Sequence, residues 1–283
     1  MVWPLVLLGL GAFAVPLLGP LGFGVLRYHV SGGAVAQIRG GDVAGLLLVA
    51  PVSLLAAWLV AQRHPAAAPL AAAPASYAVY LYSQLAIPGD VRRYSGNSER
   101  FFALFWLLIV LGTVVLVLAA ARIASAAVTG DGPTYPTRLL RIIGWYLLAV
   151  AAFLVVGLHL PGLLDALRDR PASAEYLADP VVFWVVKLMD LAFVVPLLVA
   201  VGVGAVRGRR WVRHVVAPLT GWCALLSCSV AGMGVALLVT GAAGASPVLA
   251  AGFVVVALAA VALAAATYRS LVRSTTHTSA EFR

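Results

Sequence analysis

Long apolar stretches dominate this sequence and constrain its fold more than any other feature. Of the 283 residues, 63% are hydrophobic and only 10% are charged, and the mean hydropathy is +1.03. A soluble domain has about 25% charged residues, so this chain lacks the polar side chains that would cover a surface in water. Eight stretches are long enough to cross about 30 Å of hydrocarbon, and they comprise approximately residues 3–26, 43–61, 67–87, 100–122, 139–160, 180–206, 215–240 and 247–269.

Each stretch is predicted to be an α-helix, because backbone N–H and C=O groups in lipid need partners within the same segment. The predicted fold class is therefore all-α, a polytopic membrane protein of about eight transmembrane helices. We expect a single transmembrane domain over residues 1–272 and a short polar cytoplasmic tail over 273–283. The stretch 67–87 is the weakest candidate, since it is rich in alanine and proline and carries several polar residues.

The distribution of arginine predicts the orientation in the membrane. The side that carries both termini holds 11 of the 18 arginines, and the other side holds 7. Cytoplasmic loops carry the excess of basic residues, so both termini of this multi-pass protein are predicted to be cytoplasmic. The composition, rich in Ala, Val, Gly and Arg, is typical of a GC-rich bacterial genome, which places the protein in the cell inner (plasma) membrane. Acidic residues favour the external loops, predicted over about 27–42, 88–99 and 161–179, and include Asp42, Asp90, Glu99, Asp165, Asp169, Glu175 and Asp179.

A similar spacing of prolines and arginines recurs in the two halves of the chain. Pro51, Arg63, Pro74 and Arg122 in the first half correspond to Pro196, Arg207, Pro218 and Arg269 in the second. This spacing predicts two parallel repeats of four helices, as some transporters have. Regular helices of equal length produce similar spacing without a duplication, so both explanations stay open.

Lys187 is the one lysine in the chain, and it lies inside the sixth predicted span, one helical turn before Asp190. Lysine can lose its proton when it is buried, whereas arginine stays charged. The basic group that can change its charge is therefore the one placed in lipid. At a spacing of i,i+3 the two side chains share a helix face and can pair, roughly 10 and 15 Å from the external membrane surface.

Three polar residues of the third span and one proline complete the candidate site. Tyr77, Tyr80 and Gln84 follow the spacing i, i+3 and i+7, so they share one helix face and could line a path with the charged pair. Hydrogen bonding between helices is the alternative explanation for these polar groups. Pro196 removes a backbone hydrogen bond six residues after Asp190, so it is the predicted hinge.

Other kinds of site find little support in the sequence. His159 is predicted at the external rim, where it does not favour a haem held between helices. Cys223 and Cys228 are five residues apart, which matches neither a CxxC motif nor a zinc pair. We therefore expect no metal site and no cofactor. The net charge of +9 does not indicate nucleic acid, because arginines that flank spans meet anionic lipid headgroups.

The favoured function is a small-solute or ion transporter that is coupled to protons and uses the intramembrane pair Lys187 and Asp190. The alternative is a non-catalytic membrane scaffold or a subunit of a complex, in which the pair only fixes helix packing. An enzyme with catalysis on the acidic external loops is a third hypothesis. The expected partners are the lipid bilayer, a solute or ion that the residues do not specify, and either further copies of the chain or another membrane protein.

Overall fold

The computed structural model describes residues 1–128, 133–242 and 245–280, with side chains as far as Arg273. Within those residues the protein is helical and contains no β-strand. The long helices in this part of the chain are α1 (Val2–Leu18), α2 (Gly32–Ala61), α3 (Ala67–Leu85), α4 (Ser98–Val128), α5 (Thr137–Ala166), α6 (Pro180–Val206), α7 (Val212–Thr240) and α8 (Pro247–Ala280). A short helix, Ala174–Ala178, precedes α6.

Six of the described helices, α2 and α4 to α8, are long and apolar enough to cross a membrane. This confirms an all-helical fold and indicates a multi-pass membrane protein. The apolar helix α1 has 17 residues, and α3, the weakest stretch in the sequence, has 19. Most of the alanines of α3 are buried against α1, α2, α4 and α7. Its surface therefore meets protein on several sides, which explains why it carries more polar residues than its neighbours.

Three connections gather at one end of the bundle, which we call the long-loop end, and they comprise residues 19–31, 86–97 and 167–179. The backbone N–H of Arg27 donates to Oδ1 of Asn97 over 2.8 Å. The hydroxyl of Tyr94 donates to the carbonyl oxygen of Ala178 over 2.9 Å. Because these connections meet at one end, the helices from α1 to α6 run in alternate directions.

The first helix and the first connection differ from their predicted bounds. The predicted span 3–26 was too long, because α1 ends at Leu18, where the extended backbone of Gly19 and then Pro20 stop the helix. The predicted external loop 27–42 was wrong, because α2 begins at Gly32 and places Asp42 inside the bundle. Several glycines and polar residues gave this helical stretch the composition of a loop.

Glycine is needed in that stretch because α2 crosses α7 there. A Cβ atom on Gly40 would lie 2.2 Å from the carbonyl oxygen of Gly232, and a Cβ atom on Gly232 would lie 2.3 Å from the carbonyl oxygen of Gly40. A weaker version of this contact joins α5 to α6, where a Cβ atom on Gly144 would lie 2.9 Å from the carbonyl oxygen of Gly202. Small residues thus let the helix backbones touch, as is common in membrane proteins.

Three of the described helices contain a π-helical segment, and each segment ends two residues before a proline. The pairs are Gly45–Val49 with Pro51, Phe153–His159 with Pro161, and Asp190–Val194 with Pro196. In a regular helix the proline ring clashes with the carbonyl group four residues earlier. A wider turn ahead of the proline moves that carbonyl away, so the helix continues past the proline without breaking.

The last helix is longer than the sequence predicts. The predicted span ends near residue 269, whereas α8 continues to Ala280. Most of the predicted polar tail over 273–283 therefore extends this helix, and residues 281–283 lie outside the described residues.

A buried polar cluster as the candidate functional site

The carboxylate of Asp190 joins three helices. Asp190 is the first residue of the π-helical segment of α6, and it is buried. The hydroxyl of Tyr80 on α3 donates a hydrogen bond to Oδ1 of Asp190. Nε2 of His159 on α5 lies 2.8 Å from Oδ2 of the same carboxylate. Both carboxylate oxygens therefore have a hydrogen-bonding partner that is not a permanent cation.

In the hydrogen bond between His159 and Asp190, the shared proton can reside either on the imidazole or on the carboxyl group. His159 is only 2% exposed, and its Nδ1 atom has no hydrogen-bond partner in the described part of the chain. A neutral imidazole protonated at Nε2 donates to the ionised carboxylate and leaves Nδ1 as a bare acceptor. A protonated Asp190 instead donates its O–H to Nε2. The geometry thus permits proton exchange between the two groups.

Lys187 has a different ion-pair partner from the one that the sequence suggested. Its Nζ atom lies 3.7 Å from Oε1 of Glu175 and 3.5 Å from the centre of the Phe183 ring. Lys187 shares a helix face with Asp190 and interacts with it electrostatically, but among the described side chains its ion pair is with Glu175. Helical side chains lean towards the N-terminus of their helix, so the lysine reaches towards the long-loop end and away from Asp190.

Glu175 connects this buried lysine to the surface. The side chain of Lys187 is 3% exposed, whereas that of Glu175 is 62% exposed. Glu175 lies in the short helix Ala174–Ala178, which begins where the Ser173 side chain accepts a hydrogen bond from the backbone N–H of Tyr176. The Tyr176 ring packs edge-on against Phe183, with 5.1 Å between ring centres. The short helix therefore covers Lys187 and carries the carboxylate that faces it.

The polar face predicted on α3 is divided between two neighbours. Tyr80 reaches Asp190, as described, whereas the hydroxyl of the fully buried Tyr77 donates to Oγ of Ser229 on α7 over 3.1 Å. Gln84 lies beside Tyr80, and its buried Nε2 atom has no hydrogen-bond partner within the described residues. The structure thus brings Tyr80 and Gln84 to the α6 site and turns Tyr77 towards α7.

Two members of the cluster, His159 and Glu175, were placed in the wrong surroundings by the sequence. The predicted fifth span ended at residue 160, which put His159 at the rim, whereas α5 continues to Ala166 and buries it. The apolar spacing of Leu163, Leu164 and Leu167 was a signal that the helix continues. Glu175 was predicted in a loop, and Ser173 two residues earlier was a signal for a helix start.

A small cavity lies among α5, α6, α7 and α8, close to this cluster. Its volume is about 70 Å³, and its lining is mainly apolar with Tyr146 and Ser227 as polar members. Trp222 also lines the cavity and meets the ring of Tyr80 edge-on, with 6.1 Å between ring centres. In the described part of the chain, no group of three or more His, Cys, Asp or Glu side chains could hold a metal ion.

A second histidine has two partners at the long-loop end. Nδ1 of His29 lies 2.7 Å from the carbonyl oxygen of Tyr94, and Nε2 lies 2.8 Å from Oε2 of Glu99. Only the protonated ring can donate to both oxygens. The backbone carbonyl of Tyr94 and then Glu99 raise the pKa of His29, although its burial opposes them.

Comparison with known proteins leaves the site to be interpreted by its own chemistry. No protein-family model, curated protein or solved structure matches this chain.

Proposed function

We propose that this protein is a small-solute or ion transporter that is coupled to proton exchange at Asp190. The observation that carries the proposal is a buried carboxylate that contacts a histidine and a tyrosine from two other helices. Ionisable groups inside membrane helices are costly and often mark ion pathways and proton relays. π-helical turns also occur frequently at functional sites, and Asp190 begins one.

Lys187 sets the charge at Asp190 in this mechanism. When the ammonium group is protonated, it stabilises the ionised carboxylate one helical turn away. When Lys187 loses its proton towards Glu175 and water, Asp190 becomes free to accept a proton or another cation. His159 and Tyr80 hold the carboxylate in place, and Pro196 serves as the hinge that lets α6 move.

We extend the proposal to eight spans in two parallel repeats of four. Pro196 follows Pro51 by 145 residues, and the π-helical segment that begins at Asp190 follows the one that begins at Gly45 by the same 145 residues. Lys187 likewise follows Asp42 by 145 residues. At 1.5 Å per residue, α1 and α3 are about 26 and 28 Å long, which is close to the thickness of a bilayer core.

In the same proposal the long-loop end faces outwards from the cell inner membrane, and both termini are cytoplasmic. The connection between α6 and α7, together with the first turn of α7, carries a dense group of basic residues, comprising Arg207, Arg209, Arg210 and Arg213. Such clusters remain on the cytoplasmic side during insertion. Solute and protons would then reach Lys187 and Asp190 from outside, past Glu175.

A membrane scaffold is the second candidate function, and one observation favours it. Both oxygens of Asp190 are hydrogen-bonded, and Lys187 has a partner of its own. A buried carboxylate whose two oxygens are satisfied in this way can serve as a fixed joint between α3, α5 and α6.

Transport can be tested in vesicles that contain the purified protein and a pH-sensitive dye. We expect one class among added amino acids, sugars, carboxylic acids or monovalent cations to change the internal pH. The change should disappear in Asp190→Asn and persist in Asp169→Asn, because Asp169 is exposed at the long-loop end. If no class changes the internal pH and Lys187→Met/Asp190→Leu is less stable than the wild type, the cluster is a structural joint and the scaffold function is supported.

A further inference from the structure

Asp42 is a second buried carboxyl group, and the mechanism proposed above does not use it. It lies on α2 and is 5% exposed. Its Oδ2 atom is enclosed and has no hydrogen-bond partner within the described residues. No arginine, lysine or histidine of the described part forms an ion pair with it. The carboxyl group therefore lacks both of the partners that normally stabilise its ionised form.

The surroundings of Asp42 come from four elements. A Cβ atom on Gly19 would lie 3.4 Å from Oδ2 of Asp42, so the carboxyl group faces the C-terminal end of α1. Three titratable hydroxyls interact with it electrostatically, one from the first connection and two from α3, and they are Tyr28, Tyr77 and Tyr82. From α7, Ser229 contributes a hydroxyl beside Gly41. On α2 itself, Arg39 directs its Nε to the carbonyl oxygen of Pro20.

These surroundings disfavour a negative charge on Asp42. Burial removes the water that would solvate Oδ2 of a carboxylate, and no donor among the described residues replaces it. The C-terminal end of α1 adds carbonyl oxygens and the negative end of the helix dipole. A metal cation would need several oxygen ligands at once, whereas a proton needs a single carboxyl oxygen. A bound proton is therefore the simplest ligand for this site.

We propose that Asp42 is a second proton-binding site and carries a proton in the resting protein. A role of Asp42 in coupling protons to transport rests on the proposed transport function, but the presence of a proton on Asp42 does not. The two carboxyl groups are linked through α3, where Tyr80 contacts Asp190 and Tyr77 contacts Ser229 beside Gly41. Asp42 and Lys187 also occupy corresponding positions of the proposed repeats, so one half would present an acid where the other presents a base.

Dicyclohexylcarbodiimide is a suitable probe, because it attacks carboxyl groups that are protonated and buried in an apolar site. The acid transfers its proton to a carbodiimide nitrogen, the carboxylate adds to the central carbon, and the adduct rearranges to a stable N-acylurea. The full-length protein in vesicles would be treated, digested and mapped by mass spectrometry. We expect Asp42 to be modified roughly tenfold faster at about pH 6 than at about pH 9, and Asp169 to stay unmodified.

An infrared measurement on the same samples keeps the test independent of a folding defect. The wild type should show the C=O stretching band of a protonated carboxyl group, and Asp42→Asn should lose the part of that band that comes from Asp42. If Asp42 resists the reagent and Asp42→Asn leaves the band unchanged, the proposal is wrong. Protection of Asp42 by sodium ions would also overturn it, in favour of a cation site. Neither measurement needs a solute, so a failed transport assay would leave this result untouched.

Discussion

At the residue scale, the two charged side chains of α6 differ in their access to water. Lys187 is buried but faces the largely exposed Glu175, so Glu175 can return to water if the lysine is removed. Asp190 is buried, and both Tyr80 and His159 would lose their contact with its carboxylate if it were removed. Two residues one helical turn apart should therefore contribute very differently to stability.

We expect Asp190→Ala to lower the free energy of unfolding by about 1–3 kcal/mol for each partner left without a hydrogen bond. Lys187→Met should change it by less than about 1 kcal/mol, because an apolar side chain suits this buried site and Glu175 stays solvated. Unfolding in mixed detergent micelles, followed by tryptophan fluorescence, measures both variants, with Asp169→Ala as the control. Equal losses of unfolding free energy in the two variants would indicate that Asp190, and not Glu175, is the ion-pair partner of Lys187.

The sequence identified Lys187, Asp190 and Tyr80 because polar groups in an apolar helix are easy to see and helical spacing assigns them to a face. It did not identify His159 as a partner of Asp190. That contact depends on how far α5 continues past Pro161 and on the turn that aims its side chains. Contacts between helices depend on how the helices pack, and the spacing of residues along a single helix does not predict that packing.

At the element scale, proline and glycine determine the shape of the bundle more than hydrophobicity does. The sequence predicts a broken hydrogen bond at Pro196. The structure has a wider, π-helical turn ahead of this proline. One extra residue in that turn rotates every later side chain relative to a regular helix. The presence of the six long apolar helices could therefore be predicted from apolar runs, whereas the faces beyond each π-helical segment could not.

The crossing of α2 and α7 gives a test of packing. A Cβ atom on Gly40 would meet the carbonyl oxygen of Gly232, so Gly40→Ala should separate the helices and cost about 1–3 kcal/mol. Gly252→Ala on α8 is the matched control, because a Cβ atom there meets nothing within 4 Å. The control should be neutral or stabilising by up to about 1 kcal/mol, since alanine favours helix. Thermal unfolding in detergent compares the two, and an unchanged midpoint for Gly40→Ala would contradict the crossing.

At the scale of the whole molecule, polar contacts between connections hold the long-loop end together. His29 joins the first connection to Tyr94 and to Glu99 at the start of α4. Asp179 joins the third connection to Ser31. The backbone N–H of Ser31 donates to Oδ1 of Asp179 over 2.8 Å. These contacts bring together residues that are far apart in the sequence, so composition alone did not predict them.

This end of the protein should loosen as the pH rises. The pKa of His29 is raised above its ordinary value of 6.5 in the folded protein. The contribution of the protonated ring is therefore complete below about pH 6.5 and is lost as the pH rises through the folded-state pKa. Hydrogen exchange, corrected for its intrinsic pH dependence, should show less protection of residues 86–97 at alkaline pH. His29→Gln should remove this dependence, and a wild type that stays equally protected would refute it.

In the proposed transport mechanism, the depth of Asp190 would also make its proton sensitive to voltage. Asp190 lies ten residues after Pro180, which is about 15 Å along α6 and half of the hydrocarbon thickness. Moving one charge across a whole membrane changes its energy by about 2.3 kcal/mol per 100 mV, so about half of that acts on a proton at Asp190. The membrane potential alone would thus change the proton-binding constant of this site by roughly sevenfold per 100 mV. In the proposed orientation, a carboxyl group at this depth would respond to the electrical state of the cell as well as to the pH outside it.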